Sequence, residues 1–199
     1  MRGKKSKPML GSRFRQALTY AARLHARQAR KGTARPYIGH LLGVTAIVLE
    51  HGGDEDAAIA ALLHDAVEDQ GGRPRLAEIR HKFGRRVARI VEGCSDSFTD
   101  PKPPWRQRKE DYLRHIRKAS ADVRLVSAAD KIHNAREILS DLRTVGDEVW
   151  SRFKGGKEGT LWNFRALVNE FRAAGSSPIV DELDRVVTEL ERLARSTPS

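Results

Sequence analysis

Apolar residues recur every three or four positions along most of the chain, which is the period of an amphipathic α-helix. The first apolar stripe carries Phe14, Leu18, Ala21 and His25, and the last one lies between residues 179 and 193. No segment alternates apolar and polar residues with the two-residue period of a strand. The pattern therefore predicts an all-α fold.

Glycines, prolines and a capping residue divide this pattern into separate helices. The loop RKGTARPYIGH precedes a second helix, which has His40 on its apolar face and ends near residues 52–53. Asp54 is a favourable N-cap for a third helix, which the glycines at residues 71–72 end. Further helices are predicted near residues 75–83, 85–94, 112–116, 123–142, 150, 161–171 and 179–193, and the segments DSFTDPKPPW and KGGKEGT are predicted to be loops.

The chain has 199 residues, which is enough for one domain with a sizeable core. Residues 1–10 are rich in Lys, Arg, Ser, Gly and Pro, a composition that predicts a disordered basic tail. The rest contains no internal repeat and no clear boundary, so residues 11–196 are predicted to form a single domain.

The net charge of +11 has two interpretations, a basic surface that serves solubility or a surface that binds an anionic partner. A nucleotide, a nucleic acid or an acidic protein could be that partner, and charge alone does not choose among them. The basic residues are spread along the whole chain, which disfavours a dedicated nucleic-acid surface. No apolar run reaches 18 residues and the basic N-terminus lacks a signal pattern, so we expect no membrane span and a cytoplasmic location. Cys94 is the single cysteine, which excludes a disulfide framework and a cysteine zinc cluster. The sequence does not predict an oligomeric state.

A histidine and three acids interrupt the apolar segment ALLHDAVEDQGG, residues 61–72, in the third predicted helix. His64 and Glu68 are four residues apart, as are Asp65 and Asp69, so each pair projects from one side of the helix. His64 and Asp65 point about 100 degrees apart and can bind one ion between them. A buried carboxylate without a partner is costly, so these acids either face water or are paired with a cation. Both interpretations are open for this segment alone.

Two more polar residues lie on apolar helix faces, His40 in the second helix and Asp130 in a later one. Each alone is more often a hydrogen-bonded core residue than a ligand. With His64 and Asp65, however, they supply two imidazoles and two carboxylates, which suit Mn²⁺, Fe²⁺ or Zn²⁺ and leave positions for water and substrate. Oxygen-rich ligation without thiolates favours Mn²⁺, and Zn²⁺, Fe²⁺ and Mg²⁺ are the alternatives.

The order His, His-Asp, distant Asp resembles the HD superfamily of metal-dependent phosphohydrolases. The segments AARLHARQARKG, PYIGH, AALLHDAVEDQ, FGRRVARIVEG and AADKIHNAREI, between about residues 14 and 140, resemble the hydrolase domain of the Rel/Spo alarmone enzymes. FKGGKEGTLWNFRAL is similar to a segment of many small, stand-alone bacterial members. The resemblance implies an HD-domain helical bundle with one Mn²⁺, which removes pyrophosphate from the ribose 3′ position of (p)ppGpp to give GDP or GTP. A chain of 199 residues has no room for the synthetase domain of the long members, so we expect degradation without synthesis.

Together with the helical spacing, the resemblance also indicates roles for residues around the metal. We expect Glu68 to orient or deprotonate the attacking water, and Asp69 to handle a proton or to support the site from behind. Substrate contacts are expected from Arg30, Lys31, Asn134, Lys157 and Arg165, with Trp162 as a stacking surface for the base. Each of the four cations could instead lie on the solvated surface without a role in substrate binding, and Trp162 could instead belong to the core. His25 and Tyr37 are expected to pack near the metal ligands.

The sequence departs from the family pattern at four positions. Leu41 stands where the family usually has proline, and Gln70 stands where it usually has threonine. Asn163 and Phe164 replace two tyrosines of the late segment, which leaves the identity of the substrate open. The alternatives are an HD phosphohydrolase that acts on another nucleotide and a non-catalytic protein that binds a nucleotide or nucleic acid.

Overall fold

The computed structural model describes residues 10–96, 101 and 103–196. These residues form α-helices joined by short connections, and an isolated bridge between Ala29 and Pro36 is the only strand-like pairing among them. The helices are α1 (Ser12–Leu24), α2 (Ile38–Glu50), α3 (Glu55–Leu63), α4 (Ala66–Asp69), α5 (Gly72–Phe83), α6 (Arg85–Cys94), α7 (Trp105–Lys118), α8 (Ala121–Val145), α9 (Gly156–Ala174) and α10 (Pro178–Ser196), with a 3₁₀ segment at Gly146–Arg152. The predicted all-α fold is confirmed.

The core lies around α3, which is apolar on all sides. Its residues from Ala57 to Leu63 are all buried, and it packs against α1, α2, α6 and α8. A helix that is apolar all round has to lie inside a domain. The long helix α8 passes beside α3 and also packs against α2, α6 and α10. Polar side chains on the facing sides of α2, α3 and α8 are therefore brought together in the interior.

The start of α3 agrees with the prediction, but its end does not. The carboxylate of Asp54 accepts a hydrogen bond from the Ala57 amide at 3.1 Å, as expected for an N-cap. The expected single helix as far as residues 71–72 is wrong, because α3 ends at Leu63 and α4 begins at Ala66. The His64 Nδ1 atom is 2.8 Å from the Ala61 carbonyl, which it engages in place of a regular helical partner. The break therefore falls at the His-Asp pair itself.

The segment KGGKEGT is not the predicted loop, since α9 begins at Gly156. Its glycines allow a close approach between helices: a Cβ on Gly155 would lie 2.7 Å from the Trp105 indole, and one on Gly159 would lie 3.1 Å from it. Glycine at positions 155 and 159 therefore leaves room for Trp105 of α7 to pack directly on the start of α9.

The apolar side chains of α1 to α10 form one contiguous core cluster. The assignment of residues 11–196 to a single domain stays a prediction that this cluster supports. Residues 1–9 of the predicted basic tail lie outside the described residues, and Leu10 is exposed. Among the described helices, none is both long and apolar enough to cross a membrane.

Candidate functional site

The structure brings the four predicted metal ligands together at the centre of the fold. His40 comes from α2, His64 and Asp65 from the break between α3 and α4, and Asp130 from α8. Asp65 Oδ2 lies 3.5 Å from His40 Nε2 and 3.1 Å from His64 Nε2. Asp130 Oδ1 lies 3.3 Å from His40 Nε2 and 3.6 Å from His64 Nε2. Two imidazoles and two carboxylates thus point at one small volume.

Both histidines are oriented as metal-binding histidines are, with Nδ1 close to a protein group and Nε2 towards the two carboxylates. His64 Nδ1 faces the Ala61 carbonyl oxygen, which can only accept, so Nδ1 carries a proton and Nε2 is the nitrogen that faces the carboxylates. Burial alone would lower the pKa of His64, but Asp65 and Asp130 raise it well above its usual range, so a metal that binds at Nε2 has to displace a proton. The buried Nε2 atoms of His40 and His64 have no hydrogen-bond partner among the described residues. Ligand atoms of His40, His64 and Asp65 lie within 4.8 Å of one another. Buried imidazole nitrogens that face two carboxylates can bind a divalent cation in place of a proton, and the donor set fits Mn²⁺, Fe²⁺ or Zn²⁺.

Neighbouring hydrogen bonds orient the two carboxylates. The Tyr37 hydroxyl donates to Asp65 Oδ2 at 2.6 Å. Asn134 Nδ2 donates to Asp130 Oδ1 at 2.6 Å, and Lys131 Nζ donates to Asp130 Oδ2 at 2.5 Å. Each carboxylate therefore keeps a defined orientation towards the histidines, as is usual for metal ligands.

The electrostatics of the cluster keep both acids ionised. Burial alone would raise the pKa of Asp65, but the neighbouring His64 and His40 imidazoles hold it well below its usual range. Burial acts on Asp130 in the same way, and the Lys131 ammonium and the two imidazoles lower its pKa well below the usual range. The buried Asp130 and the partly buried Asp65 both stay charged, which favours the binding of a cation.

Sequence reasoning missed a layer of residues behind His40. His133 Nδ1 lies 3.0 Å from His40 Nδ1, and Glu137 is bonded to Arg30 and lies 3.5 Å from His133 Nδ1. Gly43 leaves the space for this arrangement, because a Cβ there would be 2.1 Å from His133 Cδ2. The sequence could have indicated His133, because it lies three residues after Asp130 and so on the same face of the predicted helix.

The two predicted catalytic acids line the cavity beside the metal cluster. Asp69 Oδ2 accepts a hydrogen bond from Gln28 Nε2 at 2.8 Å. Gln28 Oε1 lies 2.8 Å from Gln70 Nε2, which donates to it, and 2.7 Å from His25 Nδ1. Glu68 Oε2 is 3.5 Å from the Asp96 amide. The unusual Gln70 therefore helps to hold the side chain that binds Asp69.

The cavity has a volume of about 620 Å³, which suits a nucleotide. The predicted contacts Arg30, Lys31 and Asn134 line it. Cations dominate its wall, which holds Arg30, Lys31, Arg35, Arg108, Lys109, Lys131, Arg152 and Lys154 against the acids Glu68, Asp69, Asp96, Glu137 and Asp141. An excess of positive charge beside a metal cluster fits a substrate with several phosphates.

Three predicted substrate contacts do not line this cavity, and their role in substrate binding stays a prediction that the structure does not support. Lys157 pairs with Asp147 at 2.8 Å, and Trp162 stacks under the Arg106 guanidinium at 3.3 Å. Arg165 is bound to Asp184, Thr188 and Glu191 of α10, so it ties α9 to α10. All three line a separate surface depression, because the face of α9 that meets the cavity carries Thr160, Asn163 and Phe164.

Several cavity residues had no clear signal in the sequence. Asp96 accepts two hydrogen bonds from the largely buried Arg108 at 2.7 and 2.6 Å, and one from Lys109 at 2.7 Å. These residues belong to the region that sequence reasoning treated as a polar connection and the start of a helix. Trp105 also lines the cavity, and its fit against Gly155 and Gly159 explains the glycine-rich start of α9.

Comparison with known proteins agrees with this geometry. The family model described as HD domain matches residues 17–161. The chain is 40% identical over 139 residues to guanosine-3′,5′-bis(diphosphate) 3′-pyrophosphohydrolase MESH1 of Xenopus tropicalis, which covers 68% of this chain and 73% of that protein. It is 37% identical over 142 residues to the human MESH1 protein, with 70% and 74% covered.

Solved structures of similar fold extend the comparison. One was published as a metazoan ortholog of SpoT that hydrolyzes ppGpp; it has a TM-score of 0.72 and 25% identity, and the match covers 90% of this chain and 96% of that one. A Listeria monocytogenes EGD-e protein has a TM-score of 0.68 and 29% identity, with 77% and 99% covered. The helical fold, the converging ligands and these matches lead to one conclusion: the chain belongs to the HD domain family.

Proposed function

We propose that this protein hydrolyses (p)ppGpp to GDP or GTP and pyrophosphate with Mn²⁺, and that it does not synthesise the alarmone. The observation that carries the proposal is the convergence of His40, His64, Asp65 and Asp130 beside a basic cavity of nucleotide size. The similarity to curated 3′-pyrophosphohydrolases over two thirds of the chain supports it.

We assign the metal to these four residues, which have the geometry and the charge to hold it. When bound, Mn²⁺ supplies a water of lowered pKa and neutralises charge on the phosphoryl oxygens. Tyr37, Lys131 and Asn134 keep the two carboxylates in place. Zn²⁺, Fe²⁺ and Mg²⁺ are alternatives for the same donor atoms, so the identity of the metal is part of the proposal.

The two acids on the cavity wall are assigned to proton handling. Hydrolysis breaks the bond between the ribose 3′ oxygen and phosphorus, so the water has to lose a proton and the 3′ oxygen has to gain one. We assign the first step to Glu68, which lies one turn beyond the His-Asp pair. Asp69, held by the Gln28 amide, is assigned to the proton that reaches the 3′ oxygen. Such help is typically worth about 10²- to 10⁴-fold in rate.

Cations of the cavity are assigned to the substrate. Arg30 and Lys31 come from the loop before α2, and Asn134 lies one turn after Asp130 on α8, where its amide can also reach a ribose or phosphate oxygen. A cytoplasmic location and a role in the stringent response are part of the proposal. A dedicated nucleic-acid surface is not part of the proposal.

The test is to incubate the protein with ppGpp and Mn²⁺ and to measure GDP and pyrophosphate. We expect His64→Ala and Asp65→Ala to abolish both bound metal and turnover. Glu68→Gln should keep the metal and lose about 10²- to 10⁴-fold in rate. Glu92→Gln, an exposed acid on α6, is the matched control and should behave as the unchanged protein. Wild-type protein that binds Mn²⁺ and releases no pyrophosphate would reject the proposal.

A second candidate function is hydrolysis of another phosphorylated nucleotide. The observation that favours it is the placement of Asn163 and Phe164 on the cavity wall, where the resemblance leads one to expect two tyrosines. A panel of nucleotides with Mn²⁺, Mg²⁺ and Zn²⁺ separates the two candidates. Faster turnover of a nucleotide without a 3′-diphosphate would favour the second.

A further inference from the structure

The cavity extends along one face of α8, well beyond the metal ligand. Asp130, Asn134, Glu137 and Asp141 are spaced by four, three and four residues, so they form one stripe on the helix. Asn134, Glu137 and Asp141 line the cavity. Residues 130 and 141 are separated by about 16 Å along the helix axis, at about 1.5 Å per residue. The far end of the cavity is therefore remote from the reacting phosphate.

Two arginines from different segments meet at this far end. Arg35, in the loop before α2, donates to Asp141 Oδ1 at 2.6 Å and to Oδ2 at 2.5 Å. Arg152, at the end of the 3₁₀ segment, donates to Asp141 Oδ2 at 2.5 Å. Asp141 thus holds two guanidinium groups. Arg35 Nη1 also lies 3.9 Å from Glu137 Oε1, the carboxylate that pairs with Arg30. Three guanidinium groups therefore face two carboxylates, which leaves one positive charge in excess.

Most hydrogen-bond donors of these arginines are not used by the protein. A guanidinium has five N–H donors, and among the described residues each of these two groups hydrogen-bonds only to Asp141. Arg152 is also fixed in place, because Gly32 passes over its stem so closely that a Cβ would be 2.7 Å from its Cδ atom. The exposed cations Lys31 and Lys154 line the same cavity. Guanidinium N–H donors that are held in place and carry an excess of positive charge are well suited to bind a phosphate group.

We propose that Arg35 and Arg152, held by Asp141, form a subsite for the phosphates on the 5′ side of the nucleotide, while the metal cluster takes the 3′-diphosphate. This inference rests on the proposed function, since it divides the cavity between the two ends of one substrate. The subsite makes the enzyme select nucleotides that carry a charged 5′ group. Asp141 acts as a positioning residue that brings the two guanidinium groups together.

The test compares guanosine 3′,5′-bis(diphosphate) with guanosine 3′-diphosphate that has a free 5′-hydroxyl. We expect Arg35→Gln/Arg152→Gln to raise KM for the first substrate about 10- to 100-fold, the loss typical of charged hydrogen bonds, with kcat retained. KM for the second substrate should stay within about 2-fold, because it has no group for this subsite. Arg136→Gln/Arg143→Gln is the matched control, since these exposed arginines of α8 pair with Glu182 and Glu189 away from the cavity.

A binding measurement that needs no turnover completes the test. GDP carries the 5′-diphosphate alone, and its affinity should fall about 10- to 100-fold in the double variant and stay unchanged in the control. Equal changes in KM for both substrates, or GDP affinity that does not depend on these arginines, would overturn the subsite and leave the ion pairs as a structural link. Arginine-dependent GDP binding without hydrolysis of either substrate would reject the proposed function and support the subsite. If the double variant does not fold, Arg35→Gln gives the same comparison, since Arg35 is 46% exposed.

Discussion

Replacing Gly43 by alanine tests how the structure holds the metal ligand His40. Gly43 lies inside α2, and a Cβ on it would be 2.1 Å from Cδ2 and 2.2 Å from Nε2 of His133. Ordinary van der Waals contact begins at 3.4 Å, so the imidazole has to move away. That movement breaks the 3.0 Å contact between the Nδ1 atoms of His133 and His40.

Two opposing effects set the change in stability. Alanine in a helix interior is favoured over glycine by about 1 kcal/mol. Forcing an extra methyl group into a packed site costs about 1–3 kcal/mol. We therefore expect Gly43→Ala to lower the free energy of unfolding by up to about 2 kcal/mol. Metal affinity should fall about 10- to 100-fold, because the residue that orients a metal-binding histidine is displaced.

Gly39→Ala is the matched control for this variant. Gly39 belongs to the same helix, and a Cβ on it would have nothing within 4 Å. It should gain up to about 1 kcal/mol from helix propensity and keep its metal affinity. Urea unfolding of the metal-free proteins and calorimetric titration with Mn²⁺ measure both quantities. If Gly43→Ala were as stable as Gly39→Ala and bound Mn²⁺ equally well, the reasoning about His133 would be refuted.

Two further variants test the groups around the metal cluster. Burial would raise the pKa of Asp96, but Lys109 and Arg108 lower it to about 2, so ionised Asp96 contributes about 2 kcal/mol of stability above its unfolded pKa of about 4. That contribution is lost as the pH falls towards 2. In urea unfolding, the free energy of unfolding of wild type should therefore exceed that of Asp96→Asn at neutral pH, and this excess should shrink as the pH falls. An excess that does not depend on pH would contradict the ion-pair explanation. Tyr37→Phe removes the hydroxyl that donates to Asp65, a group that stays protonated because burial and the Asp65 charge raise the pKa of Tyr37. Mn²⁺ affinity should fall about 10-fold or more, whereas unchanged affinity would show that the Tyr37 hydroxyl does not orient the ligand.

Most helices could be predicted from the sequence, since an amphipathic period depends on residues close together in the chain. The errors fall where distant residues decide the local structure. The break between α3 and α4 lies at His64, whose imidazole engages the Ala61 carbonyl while its other nitrogen faces the carboxylates. The glycines at the start of α9 were read as a loop, and their meaning depends on Trp105 of α7.

The sequence by itself determined the ligand types and their order, because an imidazole or a carboxylate on an apolar helix face needs a partner whatever the fold. It also determined the helical class, through the spacing of apolar residues. Arg30 and Lys31 were expected beside the metal from the resemblance, but only the tertiary structure added the other cations of the cavity, Arg35, Arg108, Lys109, Lys131, Arg152 and Lys154. Arg30 and Glu137 are 107 positions apart, and Arg35 and Asp141 are 106 apart. Such pairs leave no pattern in the local sequence, because the packing of α2, α8 and the 3₁₀ segment brings them together. Packing also placed Lys157, Trp162 and Arg165 of α9 at a different surface from the site.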